Sequence, residues 1–259
     1  RANYISFIVT DLLHGINICL SFIFPSYYVL IQPEANLLDG LCLLFPSFLI
    51  SLKLISYAHV WHGDRIREKK KKNNNYNNKK KENLDDLPGI YTFNYSLSHL
   101  LYFMLAPTLC YQHEYPRYPE KIRKSYVMKR ILEIAISAIL MLIFAKQYVE
   151  PIMQNALKYM KEDSHGGWNY IGIAERILKL SIPNLAIWLL MFFSFFHSIL
   201  NLISELLRFG DRRFYRDWWN ANGMQTFWQR WNTPVHNFAL RHVFSPCIRA
   251  GYSTRFAQF

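Results

Sequence analysis

Long apolar stretches alternate with strongly charged ones along this chain of 259 residues. Four stretches are predicted as membrane-spanning helices, because about 20 apolar residues cross the hydrocarbon layer of a bilayer. They cover residues 5–31, 37–57, 131–149 and 182–207. Pro46 is expected to kink the second span, and Lys53 near its end is expected to snorkel to the bilayer surface. The sequence contains no alternating run typical of a strand, so the pattern predicts an all-α, multi-span integral membrane protein.

A shorter apolar stretch at residues 97–111 contains Pro107. Its 15 residues are too few to cross a bilayer as a helix. It is predicted as an interfacial or re-entrant helix.

Lys and Asn dominate residues 64–82, between the second span and the short apolar stretch. This segment is predicted to be a disordered loop, because it has little apolar surface to bury. Further basic patches lie at residues 117–130 and 208–216, and the net charge is +12. If all of them face the cytosol, residues 131–149 cross outward, residues 150–176 form a lumenal connection, and residues 182–207 cross back.

The motifs found beside these basic residues indicate which classes of partner the positive charge serves. The sequence has neither a nucleic-acid recognition motif nor a Gly-rich phosphate loop, so nucleic acid is not an expected partner, whereas membrane lipid is. The four cysteines have no zinc-like spacing. No metal and no cofactor are therefore predicted.

The last predicted span carries a polar stripe. His197, Asn201 and Glu205 are four residues apart and so share one face of an ideal helix. The stripe is interpreted either as the wall of a reaction chamber or as polar contacts between helices. A catalytic base at Glu205 is the weaker of the hypotheses.

An aromatic heptapeptide follows this span and lies within the segment 208–259, which is predicted to lie in the cytosol. It reads Phe214, Tyr215, Arg216, Asp217, Trp218, Trp219, Asn220. Aromatic rings with a polar edge suit a membrane–water boundary. A continuous helix beyond it would be amphipathic, with polar side chains on one narrow face: Gln225, Gln229, Asn232 and His236. The alternative is a new helix that begins at Thr233-Pro234.

The heptapeptide resembles the FYxDWWN signature of membrane-bound O-acyltransferases (MBOAT) that esterify sterols or diacylglycerol. Arg216 and the block Ala106–Tyr111 are more similar to the diacylglycerol branch. The resemblance implies a multi-pass enzyme of the endoplasmic reticulum that moves an acyl group from acyl-CoA to diacylglycerol. The alternatives are a sterol O-acyltransferase and a non-catalytic membrane module that binds acyl-CoA. A homo-oligomer stays open as an assembly state.

The resemblance also implies roles for single residues. Asn232 is expected beside the thioester, where an amide supports developing negative charge. Four further positions are expected to line the acyl-CoA site: Gln229, Trp231, His236 and Phe244. Phe244 stands where the family often has Tyr, and Arg255 is expected to replace a basic residue near position 254. The family's catalytic His is expected beyond Phe259, so the chain is interpreted as a partial MBOAT domain that is inactive by itself.

Overall fold

The computed structural model describes residues 2–32, 37–77, 96–162 and 170–253. Ten α-helices occur in these ranges: α1 Ala2–Ile31, α2 Leu37–Asn77, α3 Leu97–Leu105, α4 Lys124–Phe144, α5 Glu150–Glu162, α6 Tyr170–Phe192, α7 Leu200–Leu206, α8 Met224–Trp231, α9 Thr233–Ala239 and α10 Ser245–Arg249. Three π-helical stretches, Ala145–Val149, Phe193–Ile199 and Leu240–Phe244, join successive helices, and Trp218–Asn220 form a 3₁₀ turn. The all-α prediction is confirmed.

Three helical segments of the described chain are long and apolar enough to cross a membrane, namely Ile8–Ile31, Asp39–Lys69 and Ile171–Leu206. They contain most of three predicted spans. The fourth, at 131–149, is helical but does not join this group. Its uncharged part between Glu133 and Lys146 has 12 residues, or about 18 Å of helix against a hydrocarbon layer of about 30 Å. Crossing by this segment stays a prediction.

Two segments predicted as loops are helical where they are described. Helix α2 continues through residues 64–77, so the predicted disorder is wrong there, and residues 78–82 lie outside the described residues. Lys is a good helix former, and neither Pro nor Gly occurs between Gly63 and the end of α2 at Asn77 to stop a helix already nucleated by the apolar span. The connection predicted at 150–176 likewise contains α5 and the start of α6.

The chain forms two compact units, residues 1–115 with 216–259 and residues 116–215. In the first unit, one face of α2 carries buried polar side chains at Lys53, Ser56 and Asp64. Ser56 Oγ accepts the backbone N–H of Tyr111 at 2.7 Å, and Asp64 pairs with His113 Nε2 at 2.7 Å. This polar seam therefore holds the non-helical backbone that follows α3.

Lys53 does not snorkel as predicted. Its Nζ donates to the carbonyl oxygens of Phe103, Met104 and Ala106 at 2.9, 2.8 and 2.7 Å, and it lies 5.3 Å from the centre of the Phe103 ring. Because these carbonyls end the nine-residue helix α3, Lys53 is its C-terminal cap. The three carbonyl oxygens solvate the ammonium group within the apolar part of the protein, so Lys53 does not need to extend to water.

Apolar packing in the first unit joins α2 to α9. Leu109, Cys110 and Phe238 form a buried cluster, and Leu49 and Leu52 of α2 pack against it. Helix α9 is therefore placed against a membrane-spanning helix.

Arginine side chains stabilise the second unit through hydrogen bonds to Glu205 and to backbone carbonyls. The buried carboxylate of Glu205 accepts from Arg123 Nε and Nη2 at 3.0 and 2.8 Å and from Arg212 Nη1 at 2.7 Å. Arg208 donates to the carbonyls of Tyr118 and Pro119 at 3.1 and 2.7 Å. These side chains fix the segment after Pro116 against the end of α7.

Candidate functional site

The aromatic heptapeptide is divided between the two units. Phe214 is buried in the second unit, and the hydroxyl of Tyr215 shares a 2.9 Å hydrogen bond with His197 Nδ1. The remaining residues, from Arg216 to Asn220, belong to the first unit. The chain therefore passes from the second unit to the first within the motif, between Tyr215 and Arg216.

The first-unit part of the motif is built onto α8. The backbone N–H of Arg216 donates to the carbonyl of Arg230 at 2.8 Å, and Arg230 Nη1 lies 3.4 Å from the carbonyls of both Asp217 and Asn220. The ring of Trp218 meets that of Phe227 edge-on at 5.8 Å. The 3₁₀ turn and α8 therefore form one substructure.

Asn232 separates α8 from α9, so the continuous-helix interpretation is wrong. Its φ of −140° and ψ of 80° lie outside the helical range, and its Oδ1 accepts the N–H of Val235 at 3.2 Å. It is thus the N-cap of α9, with Pro234 in the first turn. The alternative prediction of a new helix at Thr233-Pro234 is confirmed, although the N-cap is Asn232 rather than Thr233. Since Oδ1 is used by the cap, the amide Nδ2 points elsewhere, and within the described residues it has no hydrogen-bond acceptor.

The corner between α8 and α9 brings together most of the residues carried over from the resemblance. Gln229 is exposed, whereas Trp231 and His236 are half-buried on either side of Asn232. The imidazole of His236 has no hydrogen bond to the described residues. Phe244 is half-buried further along, at the end of a π-helical stretch, and Arg255 lies outside the described residues.

The polar stripe of the last span begins in the π-helical stretch Phe193–Ile199, which contains His197, and continues into α7, which contains Asn201 and Glu205. His197 faces Tyr215, Asn201 Nδ2 donates to the His197 carbonyl at 2.7 Å, and Glu205 is taken up by two arginines. An acceptor bound by two guanidinium groups is a poor proton acceptor. The structure supports the helix-contact interpretation and gives Glu205 a structural role.

A histidine pair was not predicted from the sequence. His242 Nε2 shares a 2.7 Å hydrogen bond with Ser56 Oγ, and its Nδ1 lies 2.9 Å from His59 Nδ1. Burial, followed by the charges of His59 and Arg241, lowers the pKa of His242 from 6.5 to about 4. It is therefore neutral at physiological pH. The available signal was the set of polar residues at positions 53, 56 and 64, which share one face of a helix.

Charged groups that are free to meet a ligand lie beyond this pair. Arg241 and Arg249 are exposed and make neither a hydrogen bond nor an ion pair with the described residues. Guanidinium groups match phosphate oxygens. Among the described residues, no cluster of three His, Cys, Asp or Glu side chains has the arrangement of a metal site.

Comparison with known proteins gives the same family as the heptapeptide. Residues 3–259 match the profile of MBOAT, the membrane-bound O-acyltransferase family. The chain is 40% identical over 243 residues to diacylglycerol O-acyltransferase 1B of Glycine max, which covers 94% of this chain and 45% of that protein. It is 40% identical over 252 residues to diacylglycerol O-acyltransferase 1 of Corylus americana (96% and 43%) and 37% identical over 244 residues to that of Bos taurus (93% and 49%).

The chain thus spans about half the length of the curated relatives it matches. The profile match is continuous across both units, and the all-α architecture with its membrane-spanning helices agrees with it. The resemblance drawn from the sequence is confirmed, and the chain belongs to the membrane-bound O-acyltransferase family.

Proposed function

We propose that this protein transfers an acyl group from acyl-CoA to diacylglycerol, forming triacylglycerol and CoA, as a multi-pass protein of the endoplasmic reticulum membrane. The observation that carries the proposal is the 37–40% identity to diacylglycerol O-acyltransferases across 93–96% of the chain. In this reaction the acceptor hydroxyl attacks the thioester carbon, an oxyanion develops on the carbonyl oxygen, and the C–S bond breaks. The proton lost by the hydroxyl leaves with the CoA thiol.

Asn232 is the residue whose geometry best suits the oxyanion. The N-cap hydrogen bond fixes Oδ1 toward Val235, which leaves Nδ2 as the outward donor. Because the amide is held before substrate arrives, donation to the thioester oxygen needs little reorganisation. Asn232 is therefore proposed as the donor to the thioester carbonyl oxygen.

The surroundings of Asn232 are proposed to bind acyl-CoA. Gln229, Trp231 and His236 flank it in the sequence. Phe244, whose ring offers apolar contact only, is assigned to the same site from the resemblance. Arg241 and Arg249 are free to pair with the phosphates of CoA, and Arg255 is assigned the same task from the resemblance.

The acceptor is tested with membranes that contain the protein expressed from its complete gene, in cells lacking other triacylglycerol and steryl ester synthesis. Labelled oleoyl-CoA is supplied with either diacylglycerol or cholesterol, and the labelled esters are separated. Label in triacylglycerol supports the proposal. Preferential formation of steryl ester overturns the choice of acceptor, and binding of acyl-CoA without either ester supports a binding module.

Asn232 offers a sharper test, because its cap and its donor use different atoms. Asn232→Asp keeps the oxygen that caps α9 but replaces the amide donor with an acceptor. We expect turnover to fall by about 10²-fold while thermal stability is retained. Asn232→Ala removes both and should also cost about 1 kcal/mol of stability through the lost cap. Unchanged turnover in Asn232→Asp would remove the proposed role.

A further inference from the structure

Helix α8 presents an apolar face that no part of the described chain covers. Met224 is 68% exposed and Trp228 is 55% exposed, and these two residues lie one helical turn apart. Trp219, on the adjoining 3₁₀ turn, is 64% exposed. These three side chains are called the α8 face below. Large apolar side chains this exposed mark a surface that meets another apolar phase.

The α8 face is folded before it meets any partner. Beneath it the Trp218 ring packs against Phe227, and Arg230 ties α8 to the backbone of the 3₁₀ turn. An isolated helix of eight residues would not persist in water, so these contacts are what order it. Binding therefore does not have to fold the helix.

The position of α8 identifies the apolar phase as lipid. One residue, Asn232, separates α8 from α9, and Phe238 of α9 belongs to the buried cluster against which Leu49 and Leu52 of α2 pack. Six residues of helix span about 9 Å. Trp228 and Met224 lie four and eight residues before Asn232, so about 15–21 Å of chain separates them from the contact with a helix that crosses the membrane.

The charges near the α8 face indicate which property of the lipid is recognised. Arg230 is the one charged residue in the sequence of α8, and its guanidinium group is bound to backbone carbonyls. Arg216 and Asp217 beside it carry opposite charges. Attraction to anionic headgroups requires several free cations on the polar side of a helix, and α8 has none. Large aromatic side chains without such charge favour the gaps between loosely packed headgroups.

We propose that the α8 face inserts into the membrane leaflet where headgroups are loosely packed, and that cone-shaped lipids strengthen this insertion. The ligand is the exposed acyl-chain region of a packing defect, recognised by Trp219, Met224 and Trp228. The proposal rests on membership of the membrane family and on the geometry of α8, and it is independent of acyl transfer. The extent of insertion would then depend on how tightly the leaflet is packed next to Asn232.

The test places an environment-sensitive fluorophore on the α8 face of the complete protein, in a background whose native cysteines are replaced by alanine. Labels are attached at Met224→Cys or at Trp228→Cys, which serves as a second, independent site. Thr226→Cys, on the opposite side of α8, is the matched control. Each variant is reconstituted into vesicles of phosphatidylcholine alone, or mixed equally with phosphatidylethanolamine or with phosphatidylserine. Quenching by brominated acyl chains and by aqueous iodide is measured in each.

We expect labels at 224 and 228 to be quenched by brominated chains and protected from iodide, with lipid quenching about twofold greater when phosphatidylethanolamine is present. Phosphatidylserine should change the signal little, and the label at 226 should respond to iodide in all vesicles. Labels at 224 and 228 that behave like the label at 226 would overturn the proposal. A larger response to phosphatidylserine than to phosphatidylethanolamine would replace it with charge-driven binding. None of these outcomes depends on turnover.

Discussion

Lys53→Met is expected to loosen the end of α3 more than any surface substitution in α2. The methionine side chain keeps most of the length and apolar contact of lysine but cannot donate hydrogen bonds. Three carbonyl oxygens, those of Phe103, Met104 and Ala106, lose their donor at once. Both Phe103 and Ala106 are fully buried, so water cannot replace the ammonium group.

The magnitude follows from these contacts. Each orphaned buried acceptor costs about 1–2 kcal/mol, which gives about 3–6 kcal/mol for three. Removing the buried ammonium group offsets part of this loss of stability, because the desolvation penalty of the buried charge is removed with it. A net loss of about 2–4 kcal/mol remains. For a chain of this size that corresponds to a decrease in Tm of about 4–16 °C.

The assay combines thermal unfolding in detergent with the reactivity of Cys110, which is buried four residues beyond Ala106. We expect the lower Tm to be accompanied by faster alkylation of the Cys110 peptide below the unfolding transition. Lys69→Met, an exposed position of the same helix, is the control and should change stability by less than about 0.5 kcal/mol. Equal Tm values and equal alkylation rates for the two variants would refute the capping role.

Three further outcomes are expected. Glu205→Gln leaves two arginines without a carboxylate and should lower the free energy of unfolding by about 2–4 kcal/mol, whereas Glu175→Gln, in an exposed pair, should stay within about 0.5 kcal/mol in chemical denaturation. Gly210→Ala places a Cβ atom 2.9 Å from the Pro116 carbonyl oxygen, and should cost about 1–3 kcal/mol in the same measurement. Because the folded-state pKa of His242 is about 4 and its usual value is 6.5, the unfolded state binds the proton first, so stability should fall as pH drops from 6.5 to 4. The total loss should be about 1–3 kcal/mol, and His242→Gln should flatten this part of the pH profile.

Sequence patterns predicted what depends on local periodicity. The apolar runs predicted the all-α class and the location of the three long helices, because about twenty consecutive apolar residues are typical of a membrane-spanning helix. The helix start near Thr233-Pro234 was also foreseeable, since Pro has a fixed place in the first turn. The signature at Phe214–Asn220 gave the family before any geometry was known.

What the sequence did not predict depends on partners far apart in the chain. The charge of Lys53 indicates snorkelling only until the carbonyls that end α3 are known, and those lie 50 or more positions away. The equal spacing of His197, Asn201 and Glu205 assumed a regular α-helix, but His197 lies in a π-helical stretch, which has a different number of residues per turn. The Ser56–His242 contact joins residues 186 positions apart.

The polar seam of α2 sets an order of events during biosynthesis. Lys53 leaves the ribosome about 50 residues before the first carbonyl it caps, which at roughly 5–20 residues per second is a delay of several seconds. During that time the helix carries an ammonium group, a hydroxyl and a carboxylate with no acceptor or donor from the later segment. We therefore expect α2 to be released into lipid only after residues 96–113 have been made, and to stay at the insertion machinery until then.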